Sequence, residues 1–95
     1  MAGGGVWRKT AVEAESPSDP FLLTGFGRIA LHMTADRAAT FDLQVDFLGD
    51  GSWESCDKVK ASGYKPLVFP AGFTAHWIRL VPDSRCLATA EFMFT

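Results

Sequence analysis

The sequence predicts an all-β domain, an antiparallel β-sandwich of six to eight short strands. Three observations lead there. Residues 41–47, FDLQVDF, alternate without a break, with Phe41, Leu43, Val45 and Phe47 on one side and Asp42, Gln44 and Asp46 on the other, the period of a strand with one wet face. Turn signals SPSDP, GDG, ASG, PAG and PDS recur along the chain, at the spacing of about 8–12 residues typical of sandwiches and barrels. No segment sustains the apolar period of a helix.

The elements follow in order. The start MAGGGV is set aside: residues 1–5 are expected as a flexible leader, and 6–95 as one β-sandwich domain. KTAVEAES is a candidate first strand. RIALHM places Ile29, Leu31 and Met33 on one face, with Arg28, Ala30 and His32 on the other, and TADRAAT connects it to FDLQVDF. The Asp50-Gly51 pair supplies the turn of a tight hairpin, with WESCDKV as the returning strand. YKPLVF is short and contains Pro66, which cannot donate to a ladder, so it suits an edge or a strand start. TAHWIRLV and LATAEFMFT complete the set, the latter with Ala88, Ala90, Phe92 and Phe94 in phase.

At 95 residues there is room for one domain. Its apolar fraction of 47% and eight Phe supply a sizeable core, because each buried Phe stabilises by roughly 1.5–3 kcal/mol. Nine basic and eleven acidic residues, net −2, are scattered and form no stripe that would neutralise a phosphate backbone, so nucleic acid is not an expected partner. No apolar run approaches the roughly 20 residues that span a bilayer, and no secretory signal pattern opens the chain, so no membrane association is expected. Cys56 and Cys86 are too few for a disulfide framework; one disulfide or two separate thiols both remain open.

The patterns of catalysis are missing, and no enzyme activity and no cofactor are expected. His32 and His76 are the only imidazole bases, and neither Ser nor Cys stands in a nucleophile-elbow context. Cysteine and histidine never take zinc spacing, and no phosphate loop is present. Asp42 and Asp46 share a strand face but lie about 13 Å apart, too far for the paired carboxylates of a glycosidase. Asp46 and Asp50 flank a turn that lacks the dense oxygen array of a calcium loop, and no metal site is expected.

Aromatic and basic residues are more suggestive. Sugars offer apolar C–H faces to Trp and Tyr rings and hydroxyls to Arg, Asp and His. Trp53 beside the hairpin, Tyr64 in the ASGYK turn, and His76, Trp77 and Arg79 are the candidate ligand-binding residues; for each aromatic, a place in the core is the ordinary alternative. In AHWIRLV, the aliphatics Ile78 and Leu80 mark the inner phase, with His76 at its margin. Trp77 and Arg79 then share the outer face about 6.5–7 Å apart, close enough for a guanidinium–indole stack.

Three segments, FDLQVDFLGDGSW, AHWIRLV and ATAEFMF, resemble the galactose-binding-domain-like (discoidin-type) jelly roll, over roughly Phe41 to Phe94. DPFLLTGF and FPAGFTAHWIRL also look like parts of a C-terminal β-module of large secreted bacterial proteins. The resemblance implies a non-catalytic, commonly carbohydrate-binding module, accessory to an enzyme or larger protein, and an extracellular or periplasmic location if the chain is part of a secreted protein. Trp77 and Arg79 fall on its matching positions. The chain is shorter than such jelly rolls usually are. The expected partner is a saccharide or similar polar ligand; the alternative is a structural or homo-oligomer-forming domain whose aromatics meet a subunit or neighbouring domain.

Overall fold

The computed structural model describes residues 2–23 and 27–94. The chain is all-β and antiparallel: β1 (Ala2–Val12), β2 (Phe21–Leu22), β3 (Ile29–Asp46), β4 (Glu54–Val68), β5 (Trp77–Pro82) and β6 (Cys86–Phe94). They form one sheet ordered β1-β6-β3-β5-β2, with β4 along the other side of β3. The sheet is curled into a half-barrel around its core.

Two expected boundaries dissolve. RIALHM, TADRAAT and FDLQVDF run on as the single 18-residue strand β3, and the ASG segment, expected as a turn, lies inside the 15-residue β4. The connector signal in TADRAAT is real but marks a crease. Between Ala35↔Gly63 and Ala39↔Ala61, β3 spends three residues where β4 spends one. An excess of two preserves the alternation, whereas an excess of one would have turned every later side chain to the other face. Ile29, Leu31, Met33 and Ala35 before the crease and Ala39, Phe41, Leu43 and Val45 after it therefore all reach the core.

At the crease β3 changes neighbours, from β6 along residues 29–35 to β5 along 41–46. Two aspartates replace the interrupted ladder. Thr40 N–H donates to Asp83 Oδ1 at 2.9 Å while Asp83 N–H returns to the Thr40 carbonyl; Leu87 N–H donates to Asp36 Oδ1 at 2.7 Å. Curling brings distant strands together inside: Phe21 stacks on Phe92 at 4.8 Å and on Phe94 at 5.6 Å, and Trp7 packs on Phe41 at 5.8 Å.

The glycines expected as a leader are the start of β1, paired with β6 as Gly3↔Met93, Gly4↔Phe92 and Gly5↔Glu91. The composition that suggests a leader serves close approach: a Cβ on Gly4 would stand 2.9 Å from the Phe21 ring. On the other side of the core, residues 15–23 run along β5. Glu15 and Ser18 N–H groups donate to the Pro82 and Leu80 carbonyls. Because Pro17 and Pro20 cannot donate, β2 is only two residues long, and the buried Ser18 hydroxyl accepts the Leu80 N–H at 3.0 Å.

The hairpin is wider than a two-residue turn. β3 stops at Asp46 and β4 starts at Glu54, with Gly49 at φ 75° and Gly51 at φ 88° taking the left-handed conformations, not Asp50. Asp46, expected outward, is buried, and its carboxylate accepts N–H groups of Gly49 at 2.8 Å, Asp50 at 3.3 Å and Gly51 at 2.8 Å. Phe47, expected in the core, is 55% exposed. Three backbone donors in the loop need an acceptor, and the loop closes over the Asp46 carboxylate to reach one, burying a residue whose strand partner is the outward Trp77.

Candidate functional site

The outer face of the half of the sheet built from β3, β4 and β5 carries a connected set of polar groups. Ile78 and Leu80 are fully buried, so Trp77 and Arg79 project outward, each partly exposed. The pairing places Arg79 opposite Gln44 and Trp77 opposite Asp46, and Ser55 on the far side of Gln44. Arg79 Nε donates to Gln44 Oε1 at 2.7 Å. Gln44 Nε2 donates to Asp42 Oδ2 at 2.9 Å, and the Ser55 hydroxyl donates to Asp42 Oδ1.

The guanidinium of Arg79 stacks over Trp53, its Cζ 4.3 Å from the ring centroid. The stack expected with Trp77 is thus made with the tryptophan that closes the hairpin loop. Two residues apart on one strand, Trp77 and Arg79 are fixed side by side, whereas the loop carries Trp53 over the face of the guanidinium. Among the described residues no carboxylate forms a salt bridge with Arg79. With Nε held by Gln44, its terminal nitrogens are the donors this face can offer to a ligand.

Beside this set lies a depression of about 250 Å³ lined by Glu15, Thr40, Asp42, Gln44, Lys58 and Asp83, among others. Two of its three carboxyls, Asp42 on β3 and Asp83 in the break between β5 and β6, are held below the ordinary carboxylate value. For Asp42, partial burial works against the charge, but donation from Ser55 and Gln44 and the nearby Lys58 outweigh it and keep the group below the ordinary value. For Asp83, the Thr40 N–H is the chief cause of the lowering, assisted by Ser84 and Lys60. Among the described residues no group of three or more His, Cys, Asp or Glu side chains is placed to hold a metal ion.

The other candidates are dispersed. His76 is exposed and lies against the hairpin loop, where a Cβ on Gly49 would be 3.2 Å from its ring. Tyr64 belongs to the other half of the sheet, opposite Thr34. It is 60% exposed and its hydroxyl meets His32 Nδ1 at 2.7 Å, the two rings nearly parallel. Gln44, Asp42 and Ser55 escaped selection as ligand-binding residues. Their place on a wet strand face is readable in the alternation, but their meeting with Arg79 depends on register. Both cysteines are free, Cys56 on the surface and Cys86 in the core, which settles the pairing left open by the sequence.

Compared with known protein families, with curated proteins and with solved structures, the chain gives no match.

Proposed function

We propose that this chain is a non-catalytic binding module, accessory to a larger protein or enzyme, that takes a saccharide or similar polar ligand on the outer face around Arg79. The observation that carries this reading is the fixed Trp53–Arg79–Gln44 arrangement beside the polar depression. A planar guanidinium braced by an indole and an amide is a preorganised donor, which lowers the ordering cost of binding. Asp42 and Gln44 add oriented acceptors and donors for hydroxyl groups, and Trp77, next along the strand, offers an apolar face for C–H groups. The resemblance of FDLQVDFLGDGSW and AHWIRLV to galactose-binding-domain-like modules supports the same reading, with the curled sheet as a shortened relative of that jelly roll. His76 flanks this face at the loop, while Tyr64 would contribute from elsewhere on the surface.

The test is a titration with a panel of neutral and acidic glycans, followed by tryptophan fluorescence. A saturable response that is lost in Arg79→Ala supports the reading; silence across the whole panel sinks it.

A second reading, an interface in a larger assembly, is favoured by Phe47 and Leu48, adjacent at the hairpin tip and 55% and 63% exposed. Against use of the β4 edge, Asp57 and Lys65 are paired with the inward residues Leu43 and Met33, and inward-side charges on an edge strand discourage edge-to-edge pairing. Light scattering over a wide concentration range separates the two readings, since a strict monomer at all concentrations contradicts self-association.

A further inference from the structure

The crease that bends the sheet also gathers positive charge. Arg37 stands in the β3 excess between Ala35 and Ala39, and Arg85 in the short break between β5 and β6. They are far apart in sequence, yet both line one depression of about 350 Å³ together with Ala11, Cys86 and Leu87. Ala11 and Leu87 are directly paired between β1 and β6 and both are exposed, so the same depression has an apolar wall. A neighbouring depression shares Leu87 and adds Lys9, a third cation on this patch.

We propose that this crease is a second ligand site, distinct from the face around Arg79, that binds a carboxylate carried on a short apolar stem. Each arginine already has one carboxylate neighbour, and in both cases the contact is to Nε: Arg85 to Glu13 at 3.2 Å and Arg37 to Asp36 at 3.8 Å. Asp36 is further engaged through the same Oδ1 by the Leu87 N–H at 2.7 Å, so its charge is shared with the backbone. Both arginine side chains stay largely open to solvent, Arg37 by 66% and Arg85 by 78%. Guanidinium forks match the two oxygens of a carboxylate, and the pair Ala11 and Leu87 gives an alkyl stem somewhere to lie.

A carboxylate is favoured over a phosphate group on two grounds. Glu13 and Asp36 remain beside the arginines and would repel a dianion more strongly than a monoanion, and the apolar wall adds affinity only for a ligand that carries a stem. The position of the arginines also follows from the fold. A bulge and a strand break are the two places where outward side chains need not follow the alternation of the sheet, so both can project into one depression.

The experiment is a titration of the full chain, labelled with nitrogen-15, with butyrate, acetate, inorganic phosphate and butylamine, read from backbone amide and arginine Nε shifts. Butyrate is expected to produce saturable shifts at Ala11, Leu87 and the Nε groups of Arg37 and Arg85, and to bind more tightly than acetate. Arg37→Gln and Arg85→Gln are each expected to weaken it about tenfold, with the rest of the spectrum unchanged because both side chains are exposed. Arg85→Lys, which keeps charge but not the fork, is expected to fall between the two. Equal responses to butyrate and butylamine, tighter binding of phosphate than butyrate, shifts unaltered in both glutamine variants, or no saturable shift would each overturn the assignment.

Discussion

The guanidinium of Arg79 lies over Trp53, 4.3 Å from the ring centroid, while its Nε is tied to Gln44 across the β3–β5 pairing. A strand, its neighbour and a loop thus converge on one cation. Truncating Arg79 and Trp53 to alanine singly and together, with stability measured by urea unfolding, should give a coupling of about 0.5–1 kcal/mol. Arg79→Lys should lose most of that coupling, since an ammonium group has no plane to stack. Strict additivity of the two truncations would contradict the stack.

The Asp46 carboxylate organises the hairpin loop by accepting three consecutive N–H groups, from Gly49 to Gly51. Asp46→Ala should destabilise by about 1.5–3 kcal/mol, because three part-buried N–H groups lose a charged acceptor, and Asp46→Asn by less. Hydrogen exchange should quicken at Gly49 and Gly51 before it changes in β6. Unchanged protection at those amides would show that the loop holds itself.

Acid should unfold the protein partly through Asp42. Its folded pKa lies below the ordinary value of 3.8, so the unfolded chain binds more protons and stability rises with pH across that window. The contribution is complete above the unfolded value and is lost as pH falls through the lower folded one. Asp83 works in the same direction. Asp42→Asn should therefore show a shallower loss of stability below about pH 4 than the parent chain; parallel acid limbs in the two proteins would refute this.

Phe92 is fully buried, with Phe21 stacked on it at 4.8 Å and Phe69 at 6.5 Å. Phe92→Ala should cost about 3–5 kcal/mol, a large part of the stability of a domain of this size. Phe47→Ala should stay within about 0.5 kcal/mol, although both phenylalanines sit in well-alternating stretches. Chemical denaturation of the two variants measures the difference, and comparable losses would place Phe47 back in the core.

Alternation is written in the chain because successive strand side chains point to opposite faces whatever the strand pairs with. It correctly put Ile78, Leu80, Phe92 and Phe94 inside and Trp77 and Arg79 outside. It failed at Phe47, beyond the end of the strand, and it did not foretell that the loop's N–H groups would close over Asp46 and bury it. Length was less legible. Polar, turn-like residues such as Asp36 and Arg37 read as a connector, but the bonds made by Asp36 and Asp83 carry β3 through as one bent strand.

The sequence by itself determined an all-β, antiparallel protein, the faces of its principal strands and the positions of several turns, since these depend on neighbours along the chain. Only the tertiary structure decided the curl of the sheet and the partners of each outward side chain: Arg79 with Trp53 and Gln44, Tyr64 with His32, Arg37 with Arg85 around one depression. Those meetings are set by strand register and by where the sheet bends, and both are fixed by hydrogen bonds and packing between segments far apart in the chain.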